Sequence, residues 1–97
     1  MAPEAQPPPS ILDRPLELDP QVSVRPEAFG ALLYHFGTRR LSFLKDRRLL
    51  AVVEALAASP TARAACAAAG VDGRALPAYE RALARLADTS MLRERAA

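Results

Sequence analysis

Phe29-Gly30-Ala31-Leu32-Leu33-Tyr34-His35-Phe36-Gly37-Thr38-Arg39-Arg40-Leu41-Ser42-Phe43-Leu44-Lys45 decides how this chain folds. Two apolar, aromatic-rich runs flank Gly37-Thr38-Arg39, a short polar segment of the kind that reverses a β-hairpin. Gly37 can take positive φ without steric penalty, and Thr38 is small and polar enough for a turn. Four of the five Phe and Tyr residues lie in this stretch, and with no Trp the chain has little else from which to build a dense sheet surface. Alternate strand residues face opposite sides. In the strand predicted over 29–36, Phe29, Ala31, Leu33 and His35 share one face, and Leu32, Tyr34 and Phe36 the other. In the strand predicted over 40–44, Leu41 and Phe43 oppose Arg40, Ser42 and Leu44. Both faces of the hairpin are therefore apolar. A small sheet with helices on one side ordinarily turns a polar face outward. This one needs a second cover: a partner protein, a second copy forming a homodimer, or a folded-back tail carrying Ile11, Leu12, Leu16 and Leu18.

Upstream, Gln21-Val22-Ser23-Val24-Arg25 alternates with the period of a half-buried strand, bracketed by Pro20 and Pro26. Proline cannot donate to a ladder, so this strand belongs at a sheet edge. Short connections favour a meander in chain order, which makes the strand over 40–44 the other edge. Downstream, Asp46 is a good N-cap, and Leu49, Leu50, Val52, Val53 and Leu56 recur on one helical face. Ser59-Pro60 marks a second helix start, and Gly70 its stop. The third helix runs from about residue 75 or 77 to Asp88, with Leu76, Tyr79, Leu83 and Leu86 as its apolar stripe. Arg74, Ala78, Arg81 and Arg85 fall on roughly the other side. Ser90-Met91-Leu92 adds an apolar anchor before a frayed end. The expected fold is α+β and winged-helix-like, a three-stranded antiparallel sheet followed by three helices.

The Pro-rich start contains no large apolar residue between Met1 and Ser10, so it cannot offset the entropy of ordering. Residues 1–17 are expected to form a flexible tail, with an extended linker over Ile11 to Pro20, and residues 18–97 the folded domain. A formal net charge of +2 permits nucleic acid or acidic peptides as partners and demands neither. The single Cys excludes an internal disulfide. No apolar run is long enough to span a membrane, and the start lacks the parts of a signal peptide, so the cytoplasm is the default location.

The chemistry-bearing residues argue against an enzyme. One His and one Cys make neither a nucleophilic triad nor a metal cluster, and the scattered glycines make no phosphate loop. No catalytic residue, metal or cofactor is expected. His35 reads as packed in the sheet and Cys66 as a small buried apolar residue. The open backbone edge over Arg40, Leu41, Ser42, Phe43 and Leu44 is the chemically interesting feature, because it can accept an extended peptide as a fourth strand. A groove beside the third helix, at Tyr79, Ala82 and Leu86, could take peptide side chains, with Arg81 and Arg85 holding carboxylates at the rim. A proline at Ser42 is expected to block such a strand. The competing reading is a winged-helix DNA-binding protein with Arg74, Arg81 and Arg85 on its recognition helix. Glu80 and Asp88 interrupt that surface, and the wing is a bare Met91-Leu92.

Arg25-Pro26-Glu27 together with the run from Phe29 to Lys45 resembles the peptide chaperones of the mycofactocin system. With the first helix and the Ala-Ala-Gly-Val after the second, the likeness covers about residues 20 to 93. It implies kinship with the pyrroloquinoline quinone peptide chaperone and with RiPP recognition elements, which bind leaders of ribosomally made, modified peptides. In such domains the precursor leader binds as an added strand and is presented to a radical S-adenosylmethionine maturase. Carried onto this sequence, the receiving strand is Arg40 to Leu44, and the helix side is Tyr79, Arg81, Ala82, Arg85 and Leu86.

Overall fold

The computed structural model describes residues 10–95. Its strands are β1 (Leu16–Leu18), β2 (Val22–Glu27), β3 (Gly30–His35), β4 (Leu41–Leu44) and β5 (Leu92–Glu94). Its helices are α1 (Arg47–Ala55), α2 (Ala62–Ala68) and α3 (Leu76–Asp88), with short 3-10 turns at Ile11–Asp13 and Leu56–Ala58. Strands β2, β3 and β4 form one antiparallel sheet in chain order, so the α+β class with three strands and three helices holds. A separate antiparallel ribbon joins β1 to β5.

The direction of each backbone group follows from two hydrogen bonds. The Phe36 N–H donates to the Gln21 carbonyl at 2.9 Å, and the His35 N–H to the Arg40 carbonyl at 3.0 Å. An antiparallel ladder alternates, so Gly30, Leu32 and Tyr34 bond β2 while Ala31 and Leu33 bond β4. Pro26 stands opposite Ala31, which turns its nitrogen to the open side of β2. This is why β2 runs on through Pro26 instead of stopping before it, as its sequence suggests.

Ala31, Leu33 and Leu44 face the helices and are buried with Leu49, Val52 and Val53 of α1, Ala65 and Cys66 of α2, and Leu83 and Leu86 of α3. Asp46 caps α1 as expected, accepting the Arg48 N–H at 2.8 Å. The cap of α2 is Thr61, accepting from Ala64 at 3.1 Å, and not Ser59. Ser59 instead donates its hydroxyl to the Ala55 carbonyl at 2.8 Å and closes the end of the preceding helix. Burial pushes the Cys66 thiol up, in keeping with a packing role. No helix among the described residues is long and apolar enough to cross a membrane.

Two further expectations need correcting. The hairpin turn does not place Gly37 at positive φ; Arg39 takes the left-handed conformation at φ 62°. The His35 ring supplies the reason. Its Nδ1 accepts the N–H groups of Gly37 and Thr38, each at 3.0 Å, and so holds the turn from inside. The second correction concerns both chain ends. Residues 10–17 are part of the fold, while the Pro-rich residues 1–9 lie outside the described residues. Leu12 and Leu16 are buried, so neither a flexible tail nor a linker describes residues 10–17. Met91 and Leu92 are buried as the expected anchor, and Arg93 and Glu94, expected to fray, pair with β1. The Arg95 N–H donates to the Pro15 carbonyl at 2.8 Å, and its guanidinium to the Leu56 carbonyl at 2.6 Å. Ion pairs Arg14–Glu94 at 2.8 Å and Arg93–Glu17 at 2.7 Å cross the ribbon.

Gly30 occupies the tightest point. At φ +154° a Cβ there would stand 2.0 Å from the Leu44 carbonyl oxygen and 2.9 Å from the Asp46 nitrogen, both backbone atoms. Gly30→Ala is expected to cost about 2–3 kcal/mol or more, from overpacking and backbone strain. Leu16→Ala, a cavity at a buried site of the ribbon, is expected to cost about 2–5 kcal/mol. Denaturant titration of each variant checks both, and an unchanged midpoint for Leu16→Ala would show the ribbon to be dispensable.

Candidate functional site

Among the described residues, strand β4 has a partner on one side only. Ser42 and Leu44 spend their backbone groups on β3, so those of Leu41 and Phe43 point to the open edge. Neither N–H has a hydrogen-bond acceptor among the described residues. The same parity corrects the expected effect of a proline at Ser42. That N–H faces Leu33, so the substitution would damage the protein's own sheet and not an added strand.

A groove runs beside this edge. One part, of about 500 Å³, is lined by Phe43, Lys45, Asp46, Leu49, Ala78, Tyr79, Ala82 and Arg85. A second part, of about 280 Å³, is lined by Leu41, Ser42, Phe43, Leu44, Leu49, Ala82, Arg85, Leu86 and Thr89. They share Phe43, Leu49, Ala82 and Arg85, which makes them one furrow between β4 and α3. Its floor is apolar: Leu44, Leu49 and Leu86 are buried, and Ala82 is half-buried. The charged groups stand at its margin.

Eight of the ten residues singled out from the sequence line this furrow: Leu41, Ser42, Phe43, Leu44, Tyr79, Ala82, Arg85 and Leu86. Arg40 is exposed just before β4 and lines neither part; its carbonyl already serves His35. Arg81 is exposed on α3 and lines neither part. The sequence reading missed Lys45, Asp46, Leu49, Ala78 and Thr89 as lining residues. Asp46 and Leu49 were visible as a cap and a helix-face residue, but that they turn toward α3 depends on how α1 leaves the sheet.

Tyr79 closes one end of the furrow. Its hydroxyl donates to the Asp46 carboxylate, whose other oxygen caps α1. One carboxylate thus ties α3 to the junction of β4 and α1. Burial of the phenol, and secondarily the hydrogen bond to Asp46, push the Tyr79 hydroxyl up to about 12. A raised value means that the folded state holds this proton more tightly than the unfolded chain. The latch therefore stabilises fully below about pH 10 and is lost as pH rises through about 12. Asp46→Asn keeps an acceptor but removes the charge, so ultraviolet titration of tyrosinate should show the Tyr79 transition at lower pH in that variant.

His35 is committed elsewhere. It is buried, its Nδ1 is occupied by the turn, and its Nε2 lies 3.6 Å from Asp19. Among the described residues no group of three or more His, Cys, Asp or Glu is gathered for a metal ion. What the site offers is unpaired backbone beside an apolar trough with cations at the rim, the geometry with which a small domain accepts an extended peptide.

Residues 15–93 match the Peptide chaperone MftB family, and the chain belongs to that family. The matched stretch takes in β1 and most of β5 as well as the sheet and helices. The chain is 60% identical over 80 residues to "Peptide chaperone MftB" of Mycobacterium tuberculosis, across 82% of this chain and 73% of that relative. The Mycobacterium ulcerans protein of the same description is 60% identical over the same shares. That of Mycolicibacterium smegmatis is 57% identical over 72 residues, 74% of this chain and 71% of the relative. Among solved structures none matches the chain.

Proposed function

We propose that this protein binds the leader of a ribosomally made precursor peptide as an added strand on β4. It then presents that peptide to a radical S-adenosylmethionine maturase in mycofactocin biosynthesis. On this reading it is a cytoplasmic binding protein of winged-helix type, with no catalytic step and no cofactor of its own. The relatives' description as peptide chaperones supports the peptide as partner. The observation that carries the reading is the open backbone of Leu41 and Phe43 directly beside the furrow.

The energetics call for both features together. Ladder bonds from two outward residues contribute about 0.5–1.5 kcal/mol net each. Micromolar binding requires about 8 kcal/mol after the leader's ordering cost. Two or three apolar leader side chains entering the furrow, at about 1.5–3 kcal/mol each, make up the difference. Arg85 at the margin, with Arg81 further out, gives leader carboxylates somewhere to settle.

Comparison of Phe43→Pro with Phe43→Ala tests the strand. Both remove the ring, but only the proline removes the outward N–H. Leader affinity measured by calorimetry should fall at least about tenfold further in the proline variant, a difference of about 1.4 kcal/mol, with helical circular dichroism unchanged. Equal affinities in the two variants would exclude strand addition at this edge.

A further inference from the structure

The outer face of the sheet plays no part in the furrow's floor or in the core. Phe36, Leu41 and Phe43 are 63%, 56% and 59% exposed, and Phe29 is half-exposed. The N-terminal leucines that might have covered this face pack on the core cluster instead. The rings are already ordered: Phe29 lies against Phe43 with centroids 6.3 Å apart, and Tyr34 meets Phe36 edge-on at 5.0 Å. Aromatics fixed on a hydrogen-bonded sheet lose little freedom when a second surface closes on them.

The charges select the occupant. Arg39 at the hairpin tip and Lys45 at the end of β4 form no ion pair with any described residue. The carboxylate on the same face, Glu27, is held by Arg25 at 2.9 Å. A second copy would therefore bring cation toward cation, whereas a partner bearing carboxylates would satisfy both. Leu41 and Phe43 add a further constraint, because they belong to this face and to the open edge at once. A peptide strand laid on that edge would send alternate side chains into the furrow and the others outward, beside Leu41 and Phe43.

We propose that the outer face of the sheet docks a protein whose own surface is apolar and bordered by carboxylates, and that the peptide lying on β4 completes this interface. The inference rests on the proposed function, in which that protein is the modifying enzyme. The partner then reads a surface that exists in full only when the chaperone is loaded. Binding of peptide and of partner is therefore coupled without any change of fold.

The test uses the full chain, the precursor leader peptide and the purified modifying enzyme. Phe36→Glu places a charge on the exposed aromatic at the hairpin end of the face, and Arg39→Asn removes the tip charge with a residue that suits left-handed backbone. Both should leave leader affinity within about twofold and weaken enzyme affinity at least about tenfold. Leader should raise the affinity of the unaltered chain for the enzyme. Unchanged enzyme affinity in both variants, with leader still bound, would overturn the docking proposal alone. Failure of the leader to bind the unaltered chain would overturn the function proposed above, and with it the coupling. A dimer in sedimentation that Phe36→Glu separates would give the face to a second copy and overturn the proposal.

Discussion

The contact on which this fold depends is between backbone and backbone at Gly30. Strand β3 begins there by passing so close to Leu44 and Asp46 that no side chain fits between. That approach binds the end of β4 and the start of α1 to the centre of the sheet. Leu44 is the last residue of β4, is fully buried, and the chain must turn from strand to helix within the next three residues. The direction in which α1 leaves is thereby set, and with it the position of Leu49 and Asp46 facing α3. The furrow is thus a by-product of one tight crossing, propagated through a helix that the crossing orients.

A second constraint is the parity of the ladder. Once His35 bonds Arg40, every backbone group of β4 is assigned: Ser42 and Leu44 inward, Leu41 and Phe43 outward. In a strand, side chains alternate up and down while backbone groups alternate left and right. The residues with open backbone are therefore the same ones whose side chains stand on the outer face. Edge and face cannot be separated in this sheet. That identity is the ground on which the coupling proposed above rests.

Much of this was legible from residue order. The alternation through Ala31 to Leu44 located β3, β4 and the faces of each, because period-2 patterning survives any tertiary context that buries one side. Phe29, read with Ala31 and Leu33, precedes the strand and stands against Phe43 on the other face. Asp46 announced α1, and the stripe Leu76, Tyr79, Leu83 and Leu86 announced α3. The missed features all depend on partners distant in sequence. Leu16–Leu18 is too short and too Pro-flanked to read as a strand until Leu92–Glu94 lies beside it. Arg39 takes a conformation that Gly37 could adopt more cheaply, because the His35 ring acts on the turn from the strand before it. Arg81 shares the rim side of α3 with Arg85 by helical phase, yet only Arg85 reaches the furrow. Phase gives a direction and not a distance.

The ribbon of β1 and β5 also governs how this molecule meets mechanical load. Pro15 and Arg95 are bonded across its outer end. Tension applied at the two ends of the described chain pulls that ladder apart rung by rung, the geometry of a zipper and not of a lap joint. The three rungs resist with their own bonds and two exposed ion pairs, each of small worth. On the N-terminal side the load first meets the turn at Ile11–Asp13, which Leu12 anchors in the core and the Ala62 N–H holds at the Arg14 carbonyl. The ribbon gives way only after that turn, and then uncovers Leu16 and Leu92 while β2, β3 and β4 stay paired.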